Sequence, residues 1–132
     1  MDFKKTAAAL KSLVGDYSGT ISDDDRDLLM ELERDLLNRA KDRKPRDINT
    51  PWTDSKGRKI TVLDNIAAID AAIGKLDYAL RFEDRYKADP AKAKTERDIE
   101  ILENTKTFLQ DAIDNAPQEV ERKIPGRGRL VN

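Results

Sequence analysis

The 132-residue sequence contains no cysteine and no histidine, and these absences remove several classes of function. Without cysteine the chain has no disulfide, no thiolate zinc site and no cysteine nucleophile. Without histidine it lacks the commonest general base and the commonest transition-metal ligand, so neither a Ser-His-Asp triad nor a histidine-containing di-iron bundle can form. We therefore predict a protein that is not an enzyme and that holds no cofactor and no metal.

Aromatic residues, at 5%, are scarce, as are glycine (6) and proline (5), and no apolar run is long enough to span a membrane. Charged residues make up 39% of the chain, yet the 25 basic and 26 acidic side chains nearly cancel. Such a chain must use its apolar residues economically, which favours amphipathic helices. Lys11 interrupts the apolar N-terminal stretch, so we expect no signal peptide and a cytoplasmic protein, or a virion protein if the chain is phage-encoded.

Apolar spacing and capping residues predict four helices, at about residues 2–14, 22–43, 64–87 and 90–115. Gly15 would stop the first helix, and Ser22, Asp64 and Asp89 would cap the other three. The strongest pattern runs along the third helix, where apolar residues step by three and four at Ile66, Ile69, Ile73, Leu76 and Leu80. It predicts a seam against the fourth helix, with contacts from Ile99, Leu102, Leu109 and Ile113 and an interruption at Lys106.

Residues 44–63 differ from the helical segments, because they contain two prolines and the only tryptophan, Trp52. The segment from Asp54 to Gly57 suits a type I turn with Gly57 in a left-handed conformation, flanked by short strands. Such a hairpin needs Trp52, Ile60 and Val62 to pack on the helices. The predicted fold is thus mainly all-α: an antiparallel long helical hairpin packed with two N-terminal helices, a short β-hairpin-like insertion at 44–63, and an extended C-terminal tail at 117–132 after a single helical domain at 1–116.

Charge is distributed unevenly along the chain. Residues 44–63 carry five basic and two acidic side chains, and residues 117–132 carry four and two, whereas the helical segments have an acidic excess. Basic side chains around an aromatic residue can hold a phosphate backbone or a single strand, or they can simply be solvated with the aromatic anchoring the loop. The residues concerned are Lys44, Arg46, Lys56, Arg58 and Lys59 around Trp52. In the tail, Arg127, Arg129 and Leu130 are predicted to anchor on a partner.

Tyr78, Phe82 and Tyr86 step by four along the predicted third helix, away from the Ile/Leu seam. They predict either a second packing face for the N-terminal helices or a contact surface for another chain, including self-association. The spacing does not decide between these two interpretations.

Several acidic patterns have an ordinary structural interpretation. The alternation Asp23, Asp25, Asp27 lacks the glycine and glutamate that a calcium loop needs, and is typical of a helix N-terminus. Two carboxylate stripes on the later helices could bind a hard cation or act as an acid/base pair, but are better explained as solvated faces with partners such as Arg81 beside Asp77. They comprise Glu96, Glu100 and Glu103, and Asp70, Asp77 and Asp84.

These observations predict a non-enzymatic helical assembly or adaptor protein that acts through protein–protein contacts, such as a phage-encoded accessory or virion component. One alternative is an inhibitor or regulator that sequesters a host protein. Another is an oligomeric nucleic-acid-binding packaging or recombination factor that uses the basic segments 44–59 and 117–132.

Overall fold

The structure is a computed structural model that describes residues 1–41 and 51–115. Its helices are α1 (Phe3–Asp16), α2 (Asp23–Ala40), α3 (Val62–Phe82) and α4 (Ala91–Asp114), with a 3-10 helix at Asp84–Tyr86 and strands β1 (Trp52–Thr53) and β2 (Lys59–Ile60). The predicted tail and five of the predicted basic or anchoring residues lie outside the described residues: Lys44, Arg46, Arg127, Arg129 and Leu130.

The helices pack in chain order around one core. α1 packs on α2, α2 on α3 and α3 on α4, and α4 returns to contact α1. This confirms the predicted mainly helical fold with a short hairpin. The centre of the core consists of fully buried leucines and one isoleucine from all four helices: Leu10, Leu13, Leu29, Leu32, Leu36, Ile69, Leu76, Leu102 and Leu109. In the described part of the chain, no helix combines the length and the apolar character needed to cross a bilayer.

The first two helices begin where capping chemistry places them. Asp2 accepts a hydrogen bond from the Lys5 amide, and Ser22 caps α2 as predicted by accepting from the Asp25 amide at 3.2 Å. The prediction that Gly15 stops α1 is wrong. The helix continues to Asp16, because the amide of the buried Tyr17 still donates to the Leu13 carbonyl at 3.1 Å.

The predicted hairpin is confirmed. Trp52 pairs with Ile60 and Thr53 with Lys59 in an antiparallel register, and Gly57 has the expected positive φ of 82°. Ile60 is buried, and the half-buried Trp52 packs against the helical core. The core contact stabilises a two-residue-long strand pair that would be marginal alone.

The ends of the third and fourth helices differ from the prediction. α3 begins at Val62 after Thr61, and Asp64 is not its N-cap but accepts the Thr61 amide at 2.7 Å from the first turn. α3 ends at Phe82 instead of residue 87, because Glu83 leaves the helical conformation at φ −106° and ψ 119°. α4 starts one residue later than expected, so its N-cap is Pro90 and not the predicted Asp89, although the Asp89 carboxylate accepts the Ala93 amide at 3.1 Å.

The α3–α4 seam contains the predicted residues and two polar ones that the pattern did not reveal. Ile66, Ile69 and Leu76 are buried on α3, and Leu102 and Leu109 on α4, while the remaining members are half-buried. Thr95 and Thr105 complete the buried side of α4, and the Thr105 hydroxyl donates to the Ile101 carbonyl at 2.7 Å. Lys106, the predicted interruption of the apolar pattern, is half-buried and reaches across to Asp70 of α3 at 2.7 Å.

Candidate interaction surface

The side of α3 that faces away from the core carries a stripe of apolar residues, with charged residues beside it. Among the described residues, three of the four exposed large apolar side chains lie there: Leu63 at 66% exposure, Tyr78 at 59% and Phe82 at 63%. Steps of three and four residues place small residues between them on the same side. We call this surface the α3 outer face and define it as Leu63, Ala67, Ala71, Gly74, Tyr78 and Phe82. It extends for roughly 28 Å at the standard helical rise.

The two aromatic residues of the outer face contact each other. Tyr78 and Phe82 have ring centroids 4.8 Å apart with a 44° tilt. Tyr78 also borders a shallow depression of about 400 Å³ that is lined by Ala71, Gly74 and Lys75. The two aromatic side chains and the shallow depression beside them therefore form one continuous surface that another chain could contact.

Gly74 lies in the middle of the outer face and has no evident role in the isolated chain. It is the thirteenth of the 21 residues of α3, and a Cβ added there would meet nothing within 4 Å. Glycine in a helix interior is less favourable than alanine by about 0.5–1 kcal/mol. No contact within the described chain requires a glycine at Gly74.

Tyr86 separates from the other two predicted aromatics. Because α3 ends at Phe82, the spacing of four does not continue along one helix, and Tyr86 lies on the 3-10 helix instead. Its half-buried ring packs 6.0 Å from the Tyr17 ring, and the Arg85 guanidinium lies 4.7 Å above it. Tyr86 thus belongs to the packed side of the molecule, whereas Tyr78 and Phe82 belong to the exposed side.

Charges of both signs border the outer face. Arg81 pairs with Asp77 at 3.3 Å, as predicted, and Asp70 pairs with Lys106 of α4. Lys75, exposed on the same helix, has no ion pair within the described ranges. The polar border keeps the isolated surface hydrated, and its mixed sign does not select a strongly charged partner.

The predicted basic hairpin is largely neutralised within the chain. Lys56 contacts Asp27 of α2, and Arg58 reaches Asp24 at 3.3 Å and Asp54 at 2.9 Å. These contacts raise the pKa values of Lys56 and Arg58, chiefly through their side-chain hydrogen bonds to Asp27 and Asp54 respectively. Of the hairpin cations that the structure describes, only Lys59 is exposed without an ion pair. The hairpin is tied to the acidic first turns of α2.

Asp54 organises this attachment. Its buried carboxylate accepts the Lys56 amide at 2.9 Å, the Arg58 amide at 2.8 Å and the Arg58 side chain. The hydrogen bond from the Arg58 backbone is the largest of the causes that lower the pKa of Asp54. Because the folded pKa is lower than the unfolded one, its contribution to stability is present above about pH 4 and is lost as the pH falls further.

We expect Asp54→Asn to loosen the hairpin at neutral pH, because an amide cannot reproduce the charge-assisted bonds to Arg58. Hydrogen exchange should accelerate at the Lys56 and Arg58 amides while the core amides of α2 stay protected. Wild type should show the same loosening only when acidified below about pH 4. Thr53→Ser, on the exposed side of β1, is the control. Unchanged exchange in Asp54→Asn would contradict this role.

A second polar cluster joins the end of α1 to the start of α4. The Tyr17 hydroxyl donates to Asp98 at 2.6 Å and lies 3.0 Å from the Thr95 hydroxyl. Lys94 binds Asp98 at 2.7 Å and Asp16 at 2.9 Å. Sequence reasoning missed this cluster, although the spacing of four between Lys94 and Asp98 marks a helical ion pair.

Two groups of this cluster, Tyr17 and Lys94, have raised pKa values. Burial raises the pKa of Tyr17, and the hydrogen bond to Asp98 adds to the rise. Burial alone would lower the pKa of Lys94, but the bonds to Asp98 and Asp16 outweigh it and raise that pKa above its ordinary value. Both groups are therefore protonated near neutral pH, so neither offers a base or a nucleophile there.

The acidic runs are engaged in local contacts. Asp23 pairs with Arg26 at 3.0 Å, Asp25 accepts from the cap Ser22 at 2.9 Å, and Asp27 contacts Lys56. In residues 1–41 and 51–115, no group of three or more acidic side chains is placed to hold a metal ion.

The chain matches no protein-family model, no curated protein and no solved structure. The exposed surfaces and their chemistry are therefore the basis for any functional proposal, and the α3 outer face is the most distinctive of them.

Proposed function

We propose that this is a non-enzymatic assembly or adaptor protein that acts through protein–protein contacts, and that the α3 outer face is its contact surface. The supporting observation is the exposure of Leu63, Tyr78 and Phe82 on one side of a helix whose other side is core. Contiguous apolar patches with polar borders are typical of interaction sites in monomeric soluble proteins. Aromatic residues are enriched in the cores of such interfaces.

Burial gives this surface an energetic reason to be covered. A large apolar side chain stabilises a contact by about 1.5–3 kcal/mol when it passes from full exposure to full burial. Leu63, Tyr78 and Phe82 are each more than half exposed. A partner that covers all three therefore gains a large part of that free energy from each side chain. The Tyr78 hydroxyl tolerates both water and burial, which suits a surface that is free before association.

The contacts of the hairpin bear on the nucleic-acid alternative. A phosphate backbone needs cations that are free to replace its counterions. Lys56 and Arg58 already contact Asp24, Asp27 and Asp54, so the described hairpin gives that alternative little support. A regulator that sequesters another protein would use the α3 outer face in the same way as an adaptor. The setting in a phage or a virion stays a prediction.

The test is co-purification of the tagged full chain from the cell or particle that encodes it, with identification by mass spectrometry. We expect wild type to retain specific partners, copies of itself included, and Tyr78→Ser/Phe82→Ser to lose them while keeping its helical circular dichroism. The matched control is Asn104→Ser/Thr107→Ser, at two exposed positions of α4. A folded double variant that keeps every wild-type partner would refute the proposal.

A further inference from the structure

The β-hairpin at residues 51–60, which we call the hairpin strap, is attached to the helices through an apolar side and a charged edge. The apolar side is one cross-strand pair, in which Ile60 is buried and the half-buried Trp52 packs against the helical core. The other pair, Thr53 and Lys59, is exposed. A two-stranded hairpin of this size is marginal by itself. The charged edge therefore contributes to keeping the strap closed.

The charged edge joins the hairpin strap to the first two turns of α2. Lys56 contacts Asp27, and the Arg58 guanidinium lies 3.3 Å from Asp24 and 3.9 Å from Asp27. The side chains of Lys56, Arg58 and Asp27 are 58%, 38% and 35% exposed. Ion pairs in such positions are weakened by salt, since the screening length falls to about 3 Å at roughly 1 M. Asp54 differs from the α2 aspartates, because its bonds to Lys56 and Arg58 lie within the strap.

The helices beside the hairpin strap are stabilised by contacts of their own. Ser22 caps α2 by accepting the Asp25 amide, and Asp64 accepts the Thr61 amide at the start of α3. The fully buried leucines and the isoleucine at the centre of the core all belong to helices. Segments with few buried apolar contacts open at a lower free energy than the core does. The strap can therefore open while the helices stay folded.

We propose that the hairpin strap is held closed by the aspartates of α2 and that raised ionic strength opens it as a unit while the four helices remain folded. Opening separates Lys56 and Arg58 from α2 and exposes Trp52 and Ile60 at the same time. In the closed chain these groups are paired or partly buried, whereas in the open chain they become accessible together. The ionic strength thus controls access to two cations and an aromatic side chain. This device is independent of the α3 outer face.

The single tryptophan of the chain lies on the hairpin strap, so its fluorescence reports opening directly. Acrylamide is an uncharged quencher, and it should reach Trp52 of the full chain more easily as NaCl rises from about 0.05 M to about 1 M. We expect the quenching constant to increase about twofold or more, because the half-buried ring becomes exposed when the strap opens. The helical circular dichroism should stay unchanged over the same range.

Asp24→Asn/Asp27→Asn removes the charged edge and leaves the turn of the strap intact. This variant should have the high-salt quenching constant already at low salt, with little further increase, because its pairs to α2 are lost. The matched control is Glu96→Gln/Glu100→Gln, which changes the net charge equally at two exposed positions of α4 that make no ion pair within the described ranges. It should keep the salt dependence of wild type.

Three results would overturn the proposal. A quenching constant of wild type that does not change with salt would show that ionic strength does not open the strap. An increase that is accompanied by an equal loss of helix would show that the strap and the helices open together. A salt response in Asp24→Asn/Asp27→Asn equal to that of wild type would show that the α2 aspartates do not hold the strap.

Discussion

Replacing Ile69 with alanine should lower the free energy of unfolding by about 2–5 kcal/mol, because Ile69 is fully buried and its loss leaves a cavity in the core. Tyr78→Ser/Phe82→Ser, on the opposite side of the same helix, should change the unfolding free energy of the monomer by less than about 1 kcal/mol. Serine, tyrosine and phenylalanine have similar helix propensities, so the exchange does not penalise the helix itself. Urea unfolding followed by circular dichroism, at a concentration where the chain is monomeric, measures both.

The same variants separate packing from association as the concentration of a co-purified partner rises. Wild type should gain thermal stability with that concentration, because binding favours the folded chain. Ile69→Ala should keep that dependence at a lower melting temperature, while Tyr78→Ser/Phe82→Ser should lose it. A double variant as unstable as Ile69→Ala would mean that Tyr78 and Phe82 are part of the core, and the α3 outer face would not be a free surface.

Patterns that are local in sequence predicted the fold well. The steps of three and four from Ile66 to Leu80 identify the core side of α3, because buried side chains recur at the helical period. The hairpin followed from turn chemistry, since Gly57 supplies the positive φ that the turn requires. Ser22 identified the start of α2, because a serine hydroxyl just before a helix accepts a hydrogen bond from a first-turn backbone amide that has no partner within the helix.

Helix ends were less predictable, because they depend on tertiary contacts. Gly15 looks like a stop, yet Tyr17 is buried and its hydroxyl bonds to Asp98, 81 residues away, so the last turn of α1 is retained. Tyr86 looks like the next turn of α3, yet its ring packs against Tyr17 once the chain has left the helix. No pattern within either segment reveals a partner at that distance.

The sequence shows how many charges each segment carries, but not which charges contact each other. It located the basic excess around the hairpin but not the aspartates that meet it, because Asp27 and Lys56 are 29 residues apart. The outer face was found only in part. Tyr78 and Phe82 were identified as aromatic residues spaced by four, whereas Leu63 and Gly74 were not identified, although their positions on the side opposite the seam were available as a signal.

Tyr17→Phe should lower the free energy of unfolding by about 1.5–3 kcal/mol at neutral pH, since it removes a hydroxyl that donates to the charged Asp98. The cluster also predicts how stability responds to alkali. The folded chain raises the pKa values of Tyr17 and Lys94, so it holds both protons more tightly than the unfolded chain does. The stability that they contribute is complete below about pH 10 and is lost as the pH rises through the folded values.

We therefore expect the unfolding free energy of wild type to be level from neutral pH to about pH 10 and to fall above it. Tyr17→Phe/Lys94→Met should be less stable at neutral pH but should show a shallower alkaline fall. Some fall should remain, because the pKa of Lys56 is also raised by its contact with Asp27. Lys92→Met, at an exposed position two residues earlier in the same helix, is the control and should keep the wild-type slope. Equal slopes in wild type and the double variant would show that the cluster does not hold its protons in the folded chain. The contacts that join the end of α1 to α4 would then contribute less to the stability of the folded chain than their short distances indicate.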